Sequence, residues 1–374
     1  MKKTILFSLL LFIAIVSFSQ NLTMYVESGG QGIKFGILDF DNNFRKFKVV
    51  DSKEINIGLS GGIQEDGNIK PKDINNAVSG IYDTYTQLLE LYKPQGLTEE
   101  NVYFYTSSGL GVAKNISVLT SAIQSKVNHG VYVVKEVEEA KYTIAGTIPY
   151  DKIDNGFVLD QGGSNTKGGY VIKNISYPNG KIKITLSAQP IVFDLGSKRV
   201  EMLVRQYMTK HPDDKQEEIN EFITAMNKCF DSLKVPIKET FGNVDGVELR
   251  DELYLSGGAA FAITTLIKPE SDLKTQMTSI TLKDLKSFLA DIEDKDTYNK
   301  IKGKTFTDEK IQANYIKALK IYNQIQLISA TKLLLTFINA LGGEDKQIYF
   351  NRFGLHSMPS MLIGKVKRNE IPKW

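Results

Sequence analysis

Two stretches decide how this chain is read: Glu27-Ser28-Gly29-Gly30-Gln31-Gly32-Ile33-Lys34 and Asp160-Gln161-Gly162-Gly163-Ser164-Asn165-Thr166-Lys167. Each opens on a carboxylate at the end of an apolar strand, carries paired glycines just after it, and closes on a lysine. Each then enters a second strand, Phe35-Gly36-Ile37-Leu38 in the first and Gly168-Gly169-Tyr170-Val171-Ile172 in the second. Agreement in order, spacing and flanking strands together points to a duplicated β-hairpin domain, each half presenting a glycine-rich tip.

Around these tips the pattern alternates. Leu22–Val26, Ile33–Phe40 and Phe44–Val50 read as strands, and Asp73–Tyr92 places Ile74, Val78, Ile81, Tyr85, Leu88 and Leu89 on one helical face. Val102–Thr106 and Val131–Val134 are further strands, the latter leading into a helix with Glu138 and Glu139. The second half restarts with strands at Gly156–Leu159 and Gly169–Lys173, and Asn179-Gly180 closes a hairpin. Helices are expected over Lys198–Thr209, Glu217–Leu233, Leu282–Leu289 and Asp308–Leu341, with a strand in Val247–Leu255. Strands alternating with helices make this an α/β protein. The division between halves is expected near Pro149–Asn155, giving one domain over 20–148 and a second over 156–374, the last helix packing back on the first.

The chain has 374 residues, 42% hydrophobic and 24% charged, near the globular average. Its 46 basic and 43 acidic residues are interspersed, so there is no electrostatic footprint for nucleic acid. The lone Cys229 excludes an internal disulfide and cysteine-ligated zinc or iron–sulfur sites. Lys2 and Lys3 precede an apolar-to-small run, Ile5 to Phe18, with small residues at Ser17 and Ser19. That pattern reads as a secretory signal peptide over 1–19, shorter than the about 20 apolar residues of a bilayer span. Export, periplasmic or extracellular, is therefore expected, without a stable membrane anchor.

Glycine turns expose backbone N–H groups that gather into concave anion sites. Two such turns facing each other across a cleft can hold a chain of phosphates. The carboxylates Glu27 and Asp160 suit magnesium, which sits between one or two carboxylates and substrate phosphates. Glu136, Glu138 and Glu139 have two readings: a solvated helical face, or a face from which one glutamate acts as general base toward water. His129, His211 and His356 lack metal-ligand spacing, and no Walker A, Gly-x-Ser-x-Gly or His-Glu-x-x-His sequence occurs.

At these residues the chain resembles the exopolyphosphatase/guanosine-pentaphosphate phosphohydrolase (Ppx/GppA) family, of the actin-like ATPase superfamily. Glu27–Lys34 stands where that family has Asp-x-Gly-Ser-Asn-Ser-x-Lys/Arg, and Thr106–Asn115 is similar to its Ala-Thr-Ser-Ala-x-Arg-x-Ala-x-Asn. Val133–Lys141 resembles the segment leading into its Glu-Glu-Ala-Arg, and Asp160–Lys167 its Asp-x-Gly-Gly-Gly-Ser-Thr-Glu. Leu195–Arg199 resembles Leu-Gly-x-x-Arg, Ser256-Gly257-Gly258-Ala259 a second-domain Gly-Gly-Thr turn, and Phe353–Leu355 a closing Arg-Gly-Leu. The resemblance implies two actin-like (ribonuclease H-like) domains with a central interdomain cleft. It also implies magnesium-dependent removal of terminal phosphate from polyphosphate or a phosphorylated nucleotide, with a homodimer as the candidate assembly.

By position, Glu139 inherits the general-base role and Asp160, with Glu27, the magnesium role. The phosphate cradles are Gly29, Gly30, Gln31 and Gly32, then Gly162, Gly163, Ser164, Asn165 and Thr166, joined by Gly257 and Gly258. Lys34 and Lys167 would neutralise transferred charge. Secreted apyrases share the layout and fit Glu27–Lys34 about as well, including Gly32. Four departures stand out: Glu27 for the first aspartate, Gly30 and Gln31 for hydroxyl residues, Lys167 for an acidic residue, and His356-Ser357 for Arg-Glu. They leave a second possibility open, a family member that binds phosphate or nucleotide without turnover.

Overall fold

In this computed structural model, residues 21–210, 218–271, 277–352 and 354–374 are described; the segment read as a signal peptide, with His211 and Phe353, lies outside them. Two compact units result, residues up to Val133 together with Leu362–Trp374, and Val134–Met361. The division expected near Pro149–Asn155 falls instead at Val133/Val134, because the helix that follows packs on the second sheet. Short helical turns are left unlabelled below.

The first unit holds β1 (Asn21–Ser28), β2 (Ile33–Phe40), β3 (Phe47–Ile55), helix α1 (Pro71–Tyr92), β4 (Val102–Thr106), α2 (Ile116–Val127) and β5 (Val131–Val133). Its sheet order is β3-β2-β1-β4-β5. β1 pairs antiparallel with β2 and parallel with β4, so the first glycine turn and the end of β4 meet at one edge of the sheet. Ile74, Ala77, Ile81, Tyr85, Leu88 and Leu89 of α1 pack on Phe35, Ile37 and Phe104 in one core. The C-terminal tail belongs to this unit. The Trp374 indole N–H donates to the Phe104 carbonyl at 2.7 Å, and its ring stacks on Tyr132 with centroids 4.8 Å apart.

The second unit holds α3 (Glu136–Thr147), β6 (Gly156–Gln161), β7 (Thr166–Ser176), β8 (Lys183–Phe193), α4 (Ser197–Lys210), α5 (Glu218–Gly242), β9 (Glu252–Ser256), α6 (Gly257–Ile267) and β10 (Met277–Ile280). It continues with α7 (Leu282–Glu293), α8 (Lys295–Lys302), α9 (Glu309–Ile321), α10 (Gln324–Ala340), β11 (Gln347–Asn351) and the first half of α11 (Gly354–Lys367). Its sheet order is β10-β11-β9-β6-β7-β8. Without β10, that order repeats the first sheet strand for strand, including the antiparallel hairpin and the parallel central pair. The hairpin repeat read from the sequence is thus a repeat of a whole sheet.

β6 is apolar throughout because both its faces are covered. Phe157 and Leu159 face the large core built with α4, α5, α6 and α10, whereas Val158 faces Ile144 and Ile148 of α3. The helix expected as one piece over Asp308–Leu341 is two. Asn323 accepts from the Gln326 N–H at 2.9 Å and Gln326 answers its backbone N–H, a capping box that starts α10 afresh.

β7 must lie very close to β6 at Gly168, where an added Cβ would overlap the Val158 carbonyl. Gly168→Ala is expected to destabilise the protein by about 1–3 kcal/mol. Gly58→Ala, where a Cβ meets nothing within 4 Å, is expected to leave the urea midpoint unchanged.

Candidate functional site

In the first unit the turn Gly29–Gly32 is closed by the Gly29 N–H donating to the Gly32 carbonyl at 2.9 Å. Two outside segments hold it. The Ser60 N–H donates to the Gly30 carbonyl, and the Ser107 N–H, just past β4, donates to the Ser28 carbonyl. Gln31 Nε2 is buried and has no hydrogen-bond partner among the described residues, a donor available to an acceptor ligand. Glu27 and Lys34 face each other in the β1–β2 register, and Lys34 Nζ donates to Glu27 Oε1 at 3.0 Å. The hydroxyl of Tyr105 donates to the other oxygen, Oε2, also at 3.0 Å. Both oxygens of Glu27 are therefore engaged, and its charge is matched by an ammonium.

In the second unit the same register places Lys167 opposite Asp160. Lys167 Nζ lies 2.7 Å from Glu139 Oε1, with side-chain exposures of only 7% and 8%. Glu139 stands in the first turn of α3, where the helix dipole also favours negative charge. Its two neighbours are used differently: Glu136 Oε1 accepts from Asn165 Nδ2 at 2.5 Å, and Glu138 from the Tyr142 hydroxyl at 2.9 Å. The solvated-face reading thus fails for Glu139, and two of the three glutamates reach the second glycine turn.

That turn is braced by the segment Leu195–Arg199. The Gly162 N–H donates to the Asn165 carbonyl at 2.9 Å, closing the turn. The Gly162 and Gly163 carbonyls accept from the N–H groups of Ser197, Lys198 and Arg199, so the opening amides of α4 are spent on the turn. The Thr166 hydroxyl donates to the Leu195 carbonyl at 2.6 Å. The N–H groups of Gly163 and Ser164 donate to no backbone carbonyl among the described residues. They are the donors this turn can offer an anion.

Asp160, one residue before the end of β6, pairs with Ser256, the N-cap of α6. A Cβ on Gly257, whose φ is +91°, would overlap Asp160 Oδ1. Glycine is required there for the backbone angle and for the approach of the carboxylate to the helix N-terminus. Gly258 points instead at the Tyr322 hydroxyl. Among the described residues no group of three or more His, Cys, Asp or Glu is placed to hold a metal ion. His129 packs against the rings of Tyr85 and Phe104, and burial lowers its pKa.

No family model matches the chain, and no curated protein matches it. Solved structures do. A Ppx/GppA family member from Aquifex aeolicus aligns over 94% of this chain and 99% of its own, with TM-score 0.63 and 14% identity. An exopolyphosphatase from Cytophaga hutchinsonii aligns over 90% and 97%, with TM-score 0.60 and 16% identity. The chain has the Ppx/GppA fold. At this identity the likeness speaks for the fold, an α/β architecture with two sheets, and the chemistry rests on the residues themselves.

Two residues were not singled out in the sequence. Tyr105 carried no signal beyond its place in a buried strand. Lys198 lies in the Leu195–Arg199 segment, and burial lowers its pKa, with Glu201 opposing. A lysine whose folded pKa lies below its unfolded value costs stability while charged, and that cost disappears as pH rises through the two values. Lys198→Met is therefore expected to raise the urea midpoint at pH 7, a gain that shrinks as pH approaches 10.5, the ordinary lysine value.

Removing the Lys167 ammonium takes the nearest positive charge away from buried Glu139. Lys167→Met is expected to cost about 3–5 kcal/mol in urea unfolding. The double variant Lys167→Met/Glu139→Gln should recover most of it, a non-additivity that a double-mutant cycle reads directly.

Proposed function

We propose that the protein is a phosphoanhydride hydrolase that releases terminal phosphate from polyphosphate or a nucleoside polyphosphate, with Glu139 as general base. The observation that carries this reading is the 2.7 Å contact between Glu139 and Lys167, which joins a candidate base to a glycine turn distant in sequence. In this reading the amides of Gly162–Thr166 hold phosphate oxygens, helped by Lys167, while Gly29–Gly32, with Gln31 and Lys34, is the first unit's own set of donors to phosphate. An incoming phosphate competes with Glu139 for the Lys167 ammonium, so substrate binding frees the carboxylate for a water molecule. Glu139 then takes a proton as the water oxygen bonds to the terminal phosphorus and the bridging P–O bond breaks, its electrons leaving with the shortened chain.

Of the two carboxylates considered for magnesium, Asp160 fits, because the ion needs only one or two carboxylates besides substrate oxygens. Glu27 fits poorly, since Lys34 and Tyr105 already engage both its oxygens. Magnesium, when bound, supplies neutralisation of phosphate charge. Export belongs to the same proposal and rests on the pattern Lys2–Ser19.

A second reading, capture of phosphate chains without turnover, is favoured by one feature. Lysine neutralises both Glu27 and Glu139, one carboxylate in each unit. Phosphate release from polyphosphate, ATP and GTP, measured with magnesium, separates the two. Glu139→Gln is expected to lower the rate by about 10²–10⁴-fold. Release unchanged by the substitution overturns the role of Glu139. Calorimetric binding of polyphosphate with no release favours the second reading.

A further inference from the structure

The hairpin formed by β7 and β8 runs past the helices that cover its base. Val171 pairs with Ala188, and both pack against Ile144 and Ile148 of α3. Lys173 then pairs with Leu186, and Ile175 with Ile184, so these residues continue the same face outward. There no described residue buries them. Ile175, Ile184, Leu186 and the tip residues Tyr177 and Ile182 are 44–68% exposed. The opposite face of the ribbon carries Asn174, Ser176, Lys183 and Thr185, all exposed. The arm is therefore amphipathic with the period of a strand, its apolar side turned to solvent.

Charge selects among the surfaces that could cover it. From Gly168 to Phe193 the chain contains Lys173, Lys181 and Lys183 and no aspartate or glutamate. Lys173 is paired with Asp154 at 3.6 Å, while Lys181 and Lys183 have no ion-pair partner among the described residues. A second copy laid on this arm would bring its lysines against their equivalents, a like-charge arrangement that opposes association. An anionic surface with an apolar interior matches both features.

We propose that the arm 173–186 binds peripherally to an anionic lipid bilayer. The isoleucines and Leu186 enter the boundary between headgroups and acyl chains, Tyr177 lies at headgroup level, and Lys181 and Lys183 reach round to lipid phosphates. No helix among the described residues is long and apolar enough to cross a membrane, which suits attachment by this arm alone. The inference is independent of the phosphate site, since none of these residues lies in either glycine turn.

The test uses the chain from Gln20 onward, which retains every described residue without the apolar leader. It is sedimented with vesicles of equal parts phosphatidylglycerol and phosphatidylcholine, and with pure phosphatidylcholine. Binding to the anionic vesicles alone, weakened by salt, is expected. Lys181→Glu/Lys183→Glu should lower the partition coefficient by at least roughly tenfold, and Ile184→Glu should also lower it. Both variants change only exposed side chains, so their circular dichroism and urea midpoints should match the parent. Equal binding of parent and variants, or equal binding to neutral vesicles, overturns the proposal. So does sedimentation velocity showing that Ile184→Glu dissociates a dimer, which would assign the arm to a second copy.

Discussion

A lysine ammonium held 2.7 Å from a glutamate, both almost wholly shielded from water, organises the second unit around its glycine turn. Neither partner tolerates burial alone, because an uncompensated charge in a poorly solvated site costs several kcal/mol. The pair therefore constrains two elements at once. It fixes the first turn of α3 against the start of β7, and the Asn165–Glu136 hydrogen bond adds a second tie between the same elements. With α3 so placed, Ile144 and Ile148 cover Val158 and Val171, and β6 is buried on both faces.

The two units apply one plan to different ends. In each, a carboxylate one residue before the end of a strand pairs with a lysine at the second position of the next. In the first unit that lysine stays on its own hairpin and neutralises Glu27, with Tyr105 taking the remaining oxygen. In the second, Asp160 leans on the N-terminus of α6, where the helix dipole supplies compensation. Lys167 reaches Glu139 of α3. A single register thus yields a closed ion pair in one unit and a linked carboxylate, ammonium and anion turn in the other. The weak net charge of the chain agrees with the proposed function, in which anion binding rests on backbone amides and a few lysines at loop tips.

Much of the fold was legible because the signals that encode it are local. Strand β2 and strand β4 were readable to the residue from apolar runs bounded by turns, and α1 from its apolar spacing. Elements that depend on distant partners were not. Strand β11 joins its sheet only by pairing with β9 and β10, and α3 groups with the second sheet only through packing. The break between α9 and α10 had a local signal, the Asn323–Gln326 capping box, overridden by a continuous apolar pattern on both sides. In the site, the glycine turns were plain in the sequence, whereas the solvated and functional readings of Glu138 and Glu139 could not be separated there.

By itself the sequence determined the α/β class, the duplicated hairpin, the two glycine turns and the absence of disulfide or cysteine–metal chemistry. These follow from residue type and short-range periodicity, which act over a few neighbours. Only the tertiary structure decided that Glu139 is buried and paired with Lys167 while Glu138 bonds to Tyr142. Only it revealed that Glu27 has both oxygens engaged, that Asp160 abuts Gly257, and that the β7–β8 arm carries an uncovered apolar face. Each of these turns on which distant side chain supplies a counter-charge, a donor or a cover. That choice is made by packing between elements far apart in the chain, where burial makes an unpaired group too costly to leave.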